Sequence, residues 1–280
     1  MKKTDETAVA FAGGRSSEAA ATVERKPALL IRAGRGKSGG SFSLDYAIQR
    51  ARYEGRRVRP LDADKRSETL FTAYGPPAEP EQQSSRNPEW ATAPQSEEPT
   101  DVIGWLMREL DEMAEDRMGR VLDFNGGDRT TAELQRDLDL APFCEAIGVR
   151  CSWMISLGPD IEDFRHTVRA ISAGQVKPQD ALMILNEGVV PQGQTTSNSF
   201  DHIILNPDFR ALVNDGIRFV LLRRLSCARR LRELNLGLYE AAYPDLGVPR
   251  PSATLQHMTR QWLDDTAAKL AIEQAQELLP

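Results

Sequence analysis

The most chemically informative stretch of this sequence is a glycine-rich segment between an apolar run and an amphipathic stretch. It reads RAGRGKSGGSF from Arg32 to Phe42. In loops that bind phosphates, glycines bring backbone N–H groups close, a lysine neutralises the outer phosphates, and a serine or threonine holds magnesium. The residues available here for such contacts are Gly34, Gly36, Lys37, Ser38, Gly39, Gly40, Ser41 and Phe42. The sequence therefore predicts a phosphate-binding loop that lacks its expected lysine.

Carboxylates follow two other apolar runs of the sequence. Asp62 and Asp64 come after the first of these runs, and Asp123 comes after the second. A carboxylate at the carboxyl end of a strand, beside a glycine loop, can hold a magnesium-bound water or orient the water that attacks a terminal phosphate. These three residues are therefore candidates for metal binding or catalysis.

Apolar runs alternate with amphipathic stretches along the chain, which predicts strands separated by helices. The predicted strands lie near residues 27–32, 56–62, 118–124, 150–157, 181–186 and 217–222. Directly after the glycine loop, Leu44, Ala47, Ile48 and Ala51 form one apolar helical stripe, and Gly55 is placed to end that helix. The alternation predicts an α/β fold, with a mostly parallel sheet covered by helices on both faces.

Composition divides the chain into an N-terminal tail and one ordered domain. Residues 1–26 are rich in small and charged residues without a sustained period, which is typical of a mobile tail. Residues 27–280 are expected to form a single domain, in which apolar stripes predict further helices over 102–113 and 255–270. Six prolines predict a long loop over 75–100, because proline disrupts helix interiors and central strands.

Charge and cysteine content exclude several classes of protein. A net charge of -6 and a pI near 5.3 argue against a general nucleic-acid coat, although a local basic patch is compatible with them. Three cysteines without a CxxC spacing indicate neither a disulfide framework nor a zinc site, which fits a reducing cytoplasm. No apolar run approaches the roughly 20 residues of a membrane span. We therefore expect a cytoplasmic protein without a membrane anchor.

The order of strand, glycine loop, helix, Asp-x-Asp strand and Asp-x-x-Gly strand resembles the ParA/MinD family of deviant-Walker P-loop ATPases, over roughly residues 27–190. Members position plasmids, chromosomes or division sites, and their loop reads K-G-G-V-G-K-[ST]. In that family the first aspartate of Asp-x-Asp lies 22 residues after the second lysine, and here Asp62 lies 22 residues after Gly40. Arg35 then falls on the first, signature lysine, and Gly40 replaces the second.

The resemblance implies ATP and Mg²⁺ as cofactors, and it assigns a role to each matching residue. Arg35 is expected to reach a phosphate across a homodimer, and Asp64 to position the attacking water. Asn186, which ends a later predicted strand, matches an asparagine that contacts adenine. The residues that match the magnesium-side groups of the family are Ser41, Asp62 and Asp123.

Replacement of the loop lysine by glycine removes a charge whose attraction to phosphate is worth several kcal/mol at an effective dielectric of about 20. We expect hydrolysis to suffer more than binding. Lys37 lies three residues earlier, and its flexible stem makes it the candidate catalytic replacement. In an alternative register Gly36-Lys37-Ser38 takes the usual Gly-Lys-Ser role, but Ile31 then stands where the first glycine belongs and the 22-residue spacing is lost.

Three functions are compatible with these features. The first is an ATP-dependent dimer switch that binds a partner protein in plasmid partition or conjugative mobilisation and hydrolyses ATP slowly. The second is a non-hydrolysing pseudo-ATPase that acts as a scaffold in plasmid maintenance or transfer, which Gly40 favours. The third is a P-loop kinase or ligase for small molecules, but the sequence shows no distinctive substrate motif for it.

A basic cluster follows the last predicted strand. It consists of Arg223, Arg224, Arg229, Arg230 and Arg232, and the first four are the candidate DNA contacts. Nonspecific DNA binding requires such a patch for contacts with the phosphate backbone. The alternative is a solvated helix face with charge pairs four residues apart, such as Arg229 with Glu233.

Overall fold

A computed structural model describes residues 26–77, 87–124, 139–196, 198–244 and 251–280. In these residues six strands form one sheet, in the order β2-β3-β1-β4-β5-β6, and every neighbouring pair is parallel. The strands are β1 Ala28–Ala33, β2 Val58–Asp62, β3 Gly119–Asp123, β4 Arg150–Leu157, β5 Ala181–Asn186 and β6 Arg218–Leu222. All six predicted strands are confirmed, because the apolar runs that suggested them are the buried strands of this sheet.

Helices connect the strands, as is usual for the long crossover connections between parallel strands. The helices are α1 Gly40–Tyr53, α2 Thr69–Tyr74, α3 Pro99–Asp116, α4 Leu140–Ala146, α5 Ile161–Ser172, α6 Asp201–Ile204, α7 Pro207–Asn214, α8 Ala228–Glu233, α9 Leu238–Ala242 and α10 Ala253–Ile272. The predicted helices at 102–113 and 255–270 lie inside α3 and α10. Gly55, with φ +77°, follows the end of α1 as expected.

Two apolar layers cover the two faces of the sheet. Leu29 and Ile31 of β1 pack in one layer with the buried residues of α3, whereas Leu30 packs in the other with α1 and α10. Alternate residues of a strand point to opposite faces, so this separation follows from the sequence of β1. The predicted α/β fold with helices on both faces is confirmed.

The proline-rich segment does more than connect two elements. Thr92 pairs in parallel with the edge strand β2: its carbonyl accepts from Asp62 N–H at 2.9 Å and its N–H donates to Pro60 O at 3.1 Å. The predicted loop over 75–100 is also too long, because α3 already begins at Pro99, which suits the first turn of a helix. Residues 78–86 of this segment lie outside the described residues.

A buried ion network joins this edge of the sheet to α3. Glu109 Oε2 lies 3.0 Å from Arg59 Nη1 and 3.4 Å from Arg120 Nε, and Arg120 is fully buried. Thr92 Oγ1 donates to Glu109 Oε1 at 2.7 Å. Glu109 therefore links two strands, α3 and the proline-rich segment through charged groups that burial would otherwise make costly.

The structure also bears on the predictions for the cysteines, for membrane-spanning helices and for the N-terminal tail. Cys144, Cys151 and Cys227 are free and buried, as small apolar residues would be. None of the helices in the described part of the chain combines the length and the apolarity needed to cross a bilayer. The predicted tail lies almost wholly outside the described residues, since Lys26 is the first residue that the structure describes.

Candidate functional site

The glycine loop connects the carboxyl end of β1 to the first turn of α1. Gly34 has φ +112° and Gly39 has φ +78°, both in the left-handed region that favours glycine. A Cβ atom on Gly34 would lie 3.2 Å from Ser156 O, and one on Gly39 would overlap with Asn186 Nδ2. Both glycines are therefore required by conformation and by close packing against β4 and the end of β5.

The loop delivers backbone donors at the start of α1. The bond from Ser43 N–H to Gly39 O, 3.3 Å long, closes the first turn. The N–H groups of Gly40, Ser41 and Phe42 precede that bond and so have no partner within the helix. A helix N-terminus of this kind attracts anions through its free donors and its dipole.

Ser41 and Asp123 meet at the edge of the sheet beside this helix terminus. Ser41 Oγ donates to Asp123 Oδ2 at 2.7 Å, although 82 residues separate them. Ser38 is placed differently, because it is buried and its Oγ donates to Arg35 O at 3.0 Å within the loop. The hydroxyl beside the carboxylate is thus the one that the 22-residue spacing selects, and the alternative Gly36-Lys37-Ser38 register lacks this contact.

Arg32, the last buried residue of β1, is the member of this site that our sequence reasoning missed. Its Nη1 donates to Asp123 Oδ1 at 2.6 Å and lies 3.5 Å from Ser41 Oγ, while only 6% of the side chain is exposed. A Cβ atom on Gly40 would overlap with Arg32 Nε and lie 2.7 Å from its Cδ and Cζ. The guanidinium group therefore occupies the space in which any side chain at position 40 would begin.

The sequence does contain a signal for Arg32. Residues 30 and 32 of a strand share a face, and the face of Leu30 is the one against which α1 packs. An arginine in that register, next to a glycine at position 40, points to a buried cation behind the loop. The motif spacing assigns no role to Arg32, which is only the first residue of the glycine-rich segment. The signal for Arg32 therefore lies in its position on strand β1 and not in the loop motif.

Burial shapes the electrostatics of the two strand-end carboxylates. Burial raises the pKa of Asp123 above its ordinary value, although the Arg32 guanidinium and the Ser41 hydroxyl oppose the shift. Burial likewise raises the pKa of Asp62, against the opposing effect of backbone N–H donors, and the nearby Asp123 charge adds to the increase. A bound cation between these groups would favour their charged forms.

Asp62 and Asp64 hold the segment that follows β2. Asp62 Oδ2 accepts from the N–H groups of Leu70 and Phe71 at 2.8 and 2.9 Å, and Oδ1 accepts from Asp64 N–H at 3.1 Å. Asp64 is half-buried and accepts from Ser67 Oγ at 2.7 Å. Asp62 thus orders the first turn of α2, a structural task in addition to the metal-side role that the resemblance implies.

Arg35 and Lys37 lie on the outer surface of the loop. Arg35 is 48% exposed and its Nη1 lies 3.2 Å from Asp163 Oδ1, in the first turn of α5. Lys37 is exposed and adopts a left-handed backbone conformation with φ +69°. Arg35 is accessible from outside the molecule, and Gly36 beside it has open space over its Cα atom.

Asn186 and Phe42 contact the protein itself. Asn186 is buried, and its Nδ2 donates to Ser38 O at 3.1 Å while its Oδ1 accepts from Gly188 N–H at 2.8 Å. The half-buried ring of Phe42 packs edge-on against Trp262, with 5.7 Å between centroids. Asn186 therefore supports the loop from below, and Phe42 offers its backbone rather than its ring to the site.

The basic cluster after β6 is divided between two kinds of contact. Arg224 donates to the carbonyl oxygens of Glu187 and Val190, so its guanidinium group is already engaged in hydrogen bonds within the protein. Arg229 and Arg230 are exposed and both pair with Glu233, at 3.0 and 3.2 Å. Arg223 is also exposed. The surface available to DNA is therefore smaller than the sequence suggested, and DNA binding stays a prediction.

If this patch binds DNA, Arg229→Ala combined with Arg230→Ala should weaken retention on duplex DNA at low salt, because two phosphate contacts are lost. The measurement is the salt dependence of retention for native and variant chains. Arg229→Lys with Arg230→Lys keeps both charges and should behave like the native chain. Unchanged retention of the double alanine variant would show that this patch does not bind DNA.

The residues at the loop fit the phosphates of a nucleotide and a divalent cation. Free helix N–H groups and a buried guanidinium suit phosphate oxygens. The Ser41 hydroxyl and the Asp123 carboxylate offer the oxygen ligands that Mg²⁺ prefers. The loop, the strand ends and the start of α1 thus form a coherent candidate site for a nucleoside triphosphate.

Comparisons with known proteins identify similar folds. No family model matches this sequence, and no curated protein matches it significantly. Chloroplast FtsY from Physcomitrella patens is 16% identical over 70% of this chain, with a TM-score of 0.41, and this chain spans 58% of its length. A chain of the MinC:MinD cell division protein complex of Aquifex aeolicus is 11% identical over 86% of this chain and 96% of its own, with a TM-score of 0.49. McdA of Cyanthece is 13% identical over 84% and 99%, with a TM-score of 0.49.

Proposed function

We propose that this protein is a ParA/MinD-like nucleotide switch that binds ATP with Mg²⁺, forms a homodimer in that state, and thereby changes its binding to a partner protein in plasmid partition or transfer. The observation that carries the proposal is the contact between Ser41 Oγ and Asp123 Oδ2. Two oxygen ligands from distant parts of the chain meet beside a helix terminus with free N–H groups, which is the arrangement that a magnesium-bound triphosphate requires.

Each residue of the site has a defined task in this proposal. The N–H groups of Gly40, Ser41 and Phe42 bind phosphate oxygens, and Ser41 with Asp123 holds the metal side. Asp64, half-buried at the end of β2, orients a water molecule. Bound Mg-ATP supplies a terminal phosphoryl group that can be transferred to this water.

The second candidate is a nucleotide-dependent scaffold without turnover. The observation that favours it is Gly40, because position 40 has no lysine whose charge could stabilise the phosphates in the transition state of hydrolysis. Turnover depends on charge that develops in the transition state, whereas binding needs only ground-state contacts. The two candidates therefore share nucleotide binding and dimer formation and differ in hydrolysis alone.

Sedimentation velocity with ATP, with ADP and without nucleotide, all in the presence of Mg²⁺, tests the switch. We expect a dimer with ATP and a monomer otherwise. Arg35→Ala should weaken the dimer by about tenfold or more, because a charged contact across the interface is lost. Arg35→Lys restores the family residue and should dimerise. One unchanged mass in all conditions would contradict the proposal.

Single-turnover hydrolysis on the same samples separates the two candidates. Slow hydrolysis that Asp64→Ala reduces by roughly 100-fold, without loss of the dimer, is the result expected of a weak ATPase. An ATP-dependent dimer with no turnover in the native chain identifies the scaffold.

A further inference from the structure

We infer that Arg32 replaces the missing loop lysine and supplies from β1 the positive charge that binds the phosphates. The inference rests on the proposed function, since it presupposes that the loop binds a nucleotide. It concerns a residue outside the glycine loop and thus a different source of charge from Lys37.

The guanidinium of Arg32 lies directly over the Cα atom of Gly40, where any Cβ atom would overlap with Nε. With Arg32 in this position, a lysine at position 40 has no room unless the guanidinium moves away. A glycine at position 40 lets the cation stay behind the loop.

Arg32 also has a hydrogen-bond donor that it does not use. Arg32 is almost fully buried, and its Nε has no hydrogen-bond partner among the described residues. A buried donor without a partner costs free energy. The atom is buried beside the turn that presents the N–H groups of α1, so its positive charge lies directly behind the site at which a phosphate would bind.

Arg32 brings its positive charge close to the candidate metal ligands. Arg32 Nη1 lies 2.6 Å from Asp123 Oδ1 and 3.5 Å from Ser41 Oγ, and the same two residues are the candidate metal ligands. The guanidinium thus stands at the junction of the phosphate and metal sides. In this position it neutralises the buried carboxylate of Asp123 and lies beside both candidate metal ligands.

Lys37 is less well placed for this task. It is exposed, and its backbone lies at the outer turn of the loop. An exposed ammonium is strongly hydrated and screened, whereas a buried guanidinium is oriented in advance. The geometry therefore favours Arg32 as the main source of charge.

An exchange of side chains tests the inference, with the affinity for ATP in the presence of Mg²⁺ and the thermal midpoint as readouts. Arg32→Ala should weaken ATP binding by about tenfold or more, because a charged hydrogen bond to phosphate is lost. Gly40→Lys alone should be equally poor, because its side chain collides with Arg32. The combination of both substitutions should regain most of the native affinity, since the lysine then has room.

Two further variants separate the loss of the Arg32 charge from general effects of an arginine substitution and from failure to fold. Arg57→Ala removes an exposed arginine at the opposite end of β2 and should leave affinity unchanged. If Arg32→Ala does not fold, Arg32→Gln removes the charge while keeping an amide donor for Asp123, and it should show the same loss.

The inference is overturned if Arg32→Ala, or Arg32→Gln in its place, binds ATP as the native chain does. It is also overturned if Lys37→Ala causes the tenfold loss instead, or if Gly40→Lys alone binds more tightly. A native chain that binds no ATP would refute the proposed function itself, which is a distinguishable outcome.

Discussion

Gly39→Val is expected to abolish ATP binding and to lower the free energy of unfolding by about 2–5 kcal/mol. Gly39 has φ +78°, a conformation that a β-branched residue adopts only with strain. Its Cβ atom would also overlap with Asn186 Nδ2 and lie 3.1 Å from Val189 Cγ1. Because Asn186 is buried, the loop would have to move away, and the N–H groups at the start of α1 would move with it.

The matched control for this substitution is Gly36→Ala, three residues away in the same loop. Gly36 lies outside the left-handed region, and a Cβ atom added to it would meet no described atom within 4 Å. Its effect on unfolding should stay within about 0.5 kcal/mol. Urea unfolding of both variants measures the difference. Equal stability of the two would show that the loop does not hold the described conformation.

Glu109→Leu is expected to cost about 3–5 kcal/mol of stability, which is typical when one partner of a buried ion pair is removed. The substitution leaves Arg59 and Arg120 without their shared buried carboxylate and Thr92 without its acceptor. Arg59 keeps Glu112 at 2.5 Å, and Arg120 keeps Asp116 at 3.0 Å. The upper end of the range is reached only if these more exposed partners cannot compensate.

Glu112→Gln is the control for that network. Its side chain is 44% exposed, so its ion pair with Arg59 is screened and should contribute less than about 1 kcal/mol. Urea unfolding with both variants compares a buried with an exposed partner of the same arginine. A cost below about 1 kcal/mol for Glu109→Leu would show that the network does not stabilise this edge of the sheet.

The strands could be predicted because most of them are short apolar runs that are buried almost throughout, although the edge strand β6 is only partly buried. Val58–Asp62 carries a proline, and its position at the edge of the sheet accounts for this. The pairing of Thr92 with that edge could not be predicted, because a single bridge formed by one residue leaves no periodic pattern. The start of α3 at Pro99 was not predicted, because all six prolines were assigned to the loop although the last one lies in the first turn of a helix.

The candidate site shows a similar division. The spacing from Gly40 to Asp62 selected Ser41, which contacts Asp123 in the structure. Arg32 was missed because motif reasoning considers the loop residues and not the strand before them. The support that Asn186 gives to Ser38 depends on where β5 ends in space, which one sequence does not reveal.

The central claim is that the glycine loop binds ATP, and an equilibrium titration of the native chain with ATP by calorimetry, in the presence of Mg²⁺, tests it most directly. We predict saturable binding with one nucleotide for each chain, and its loss in Gly39→Val. Absence of binding up to millimolar ATP in the folded native chain, or equal binding by the folded Gly39→Val variant, would contradict the account.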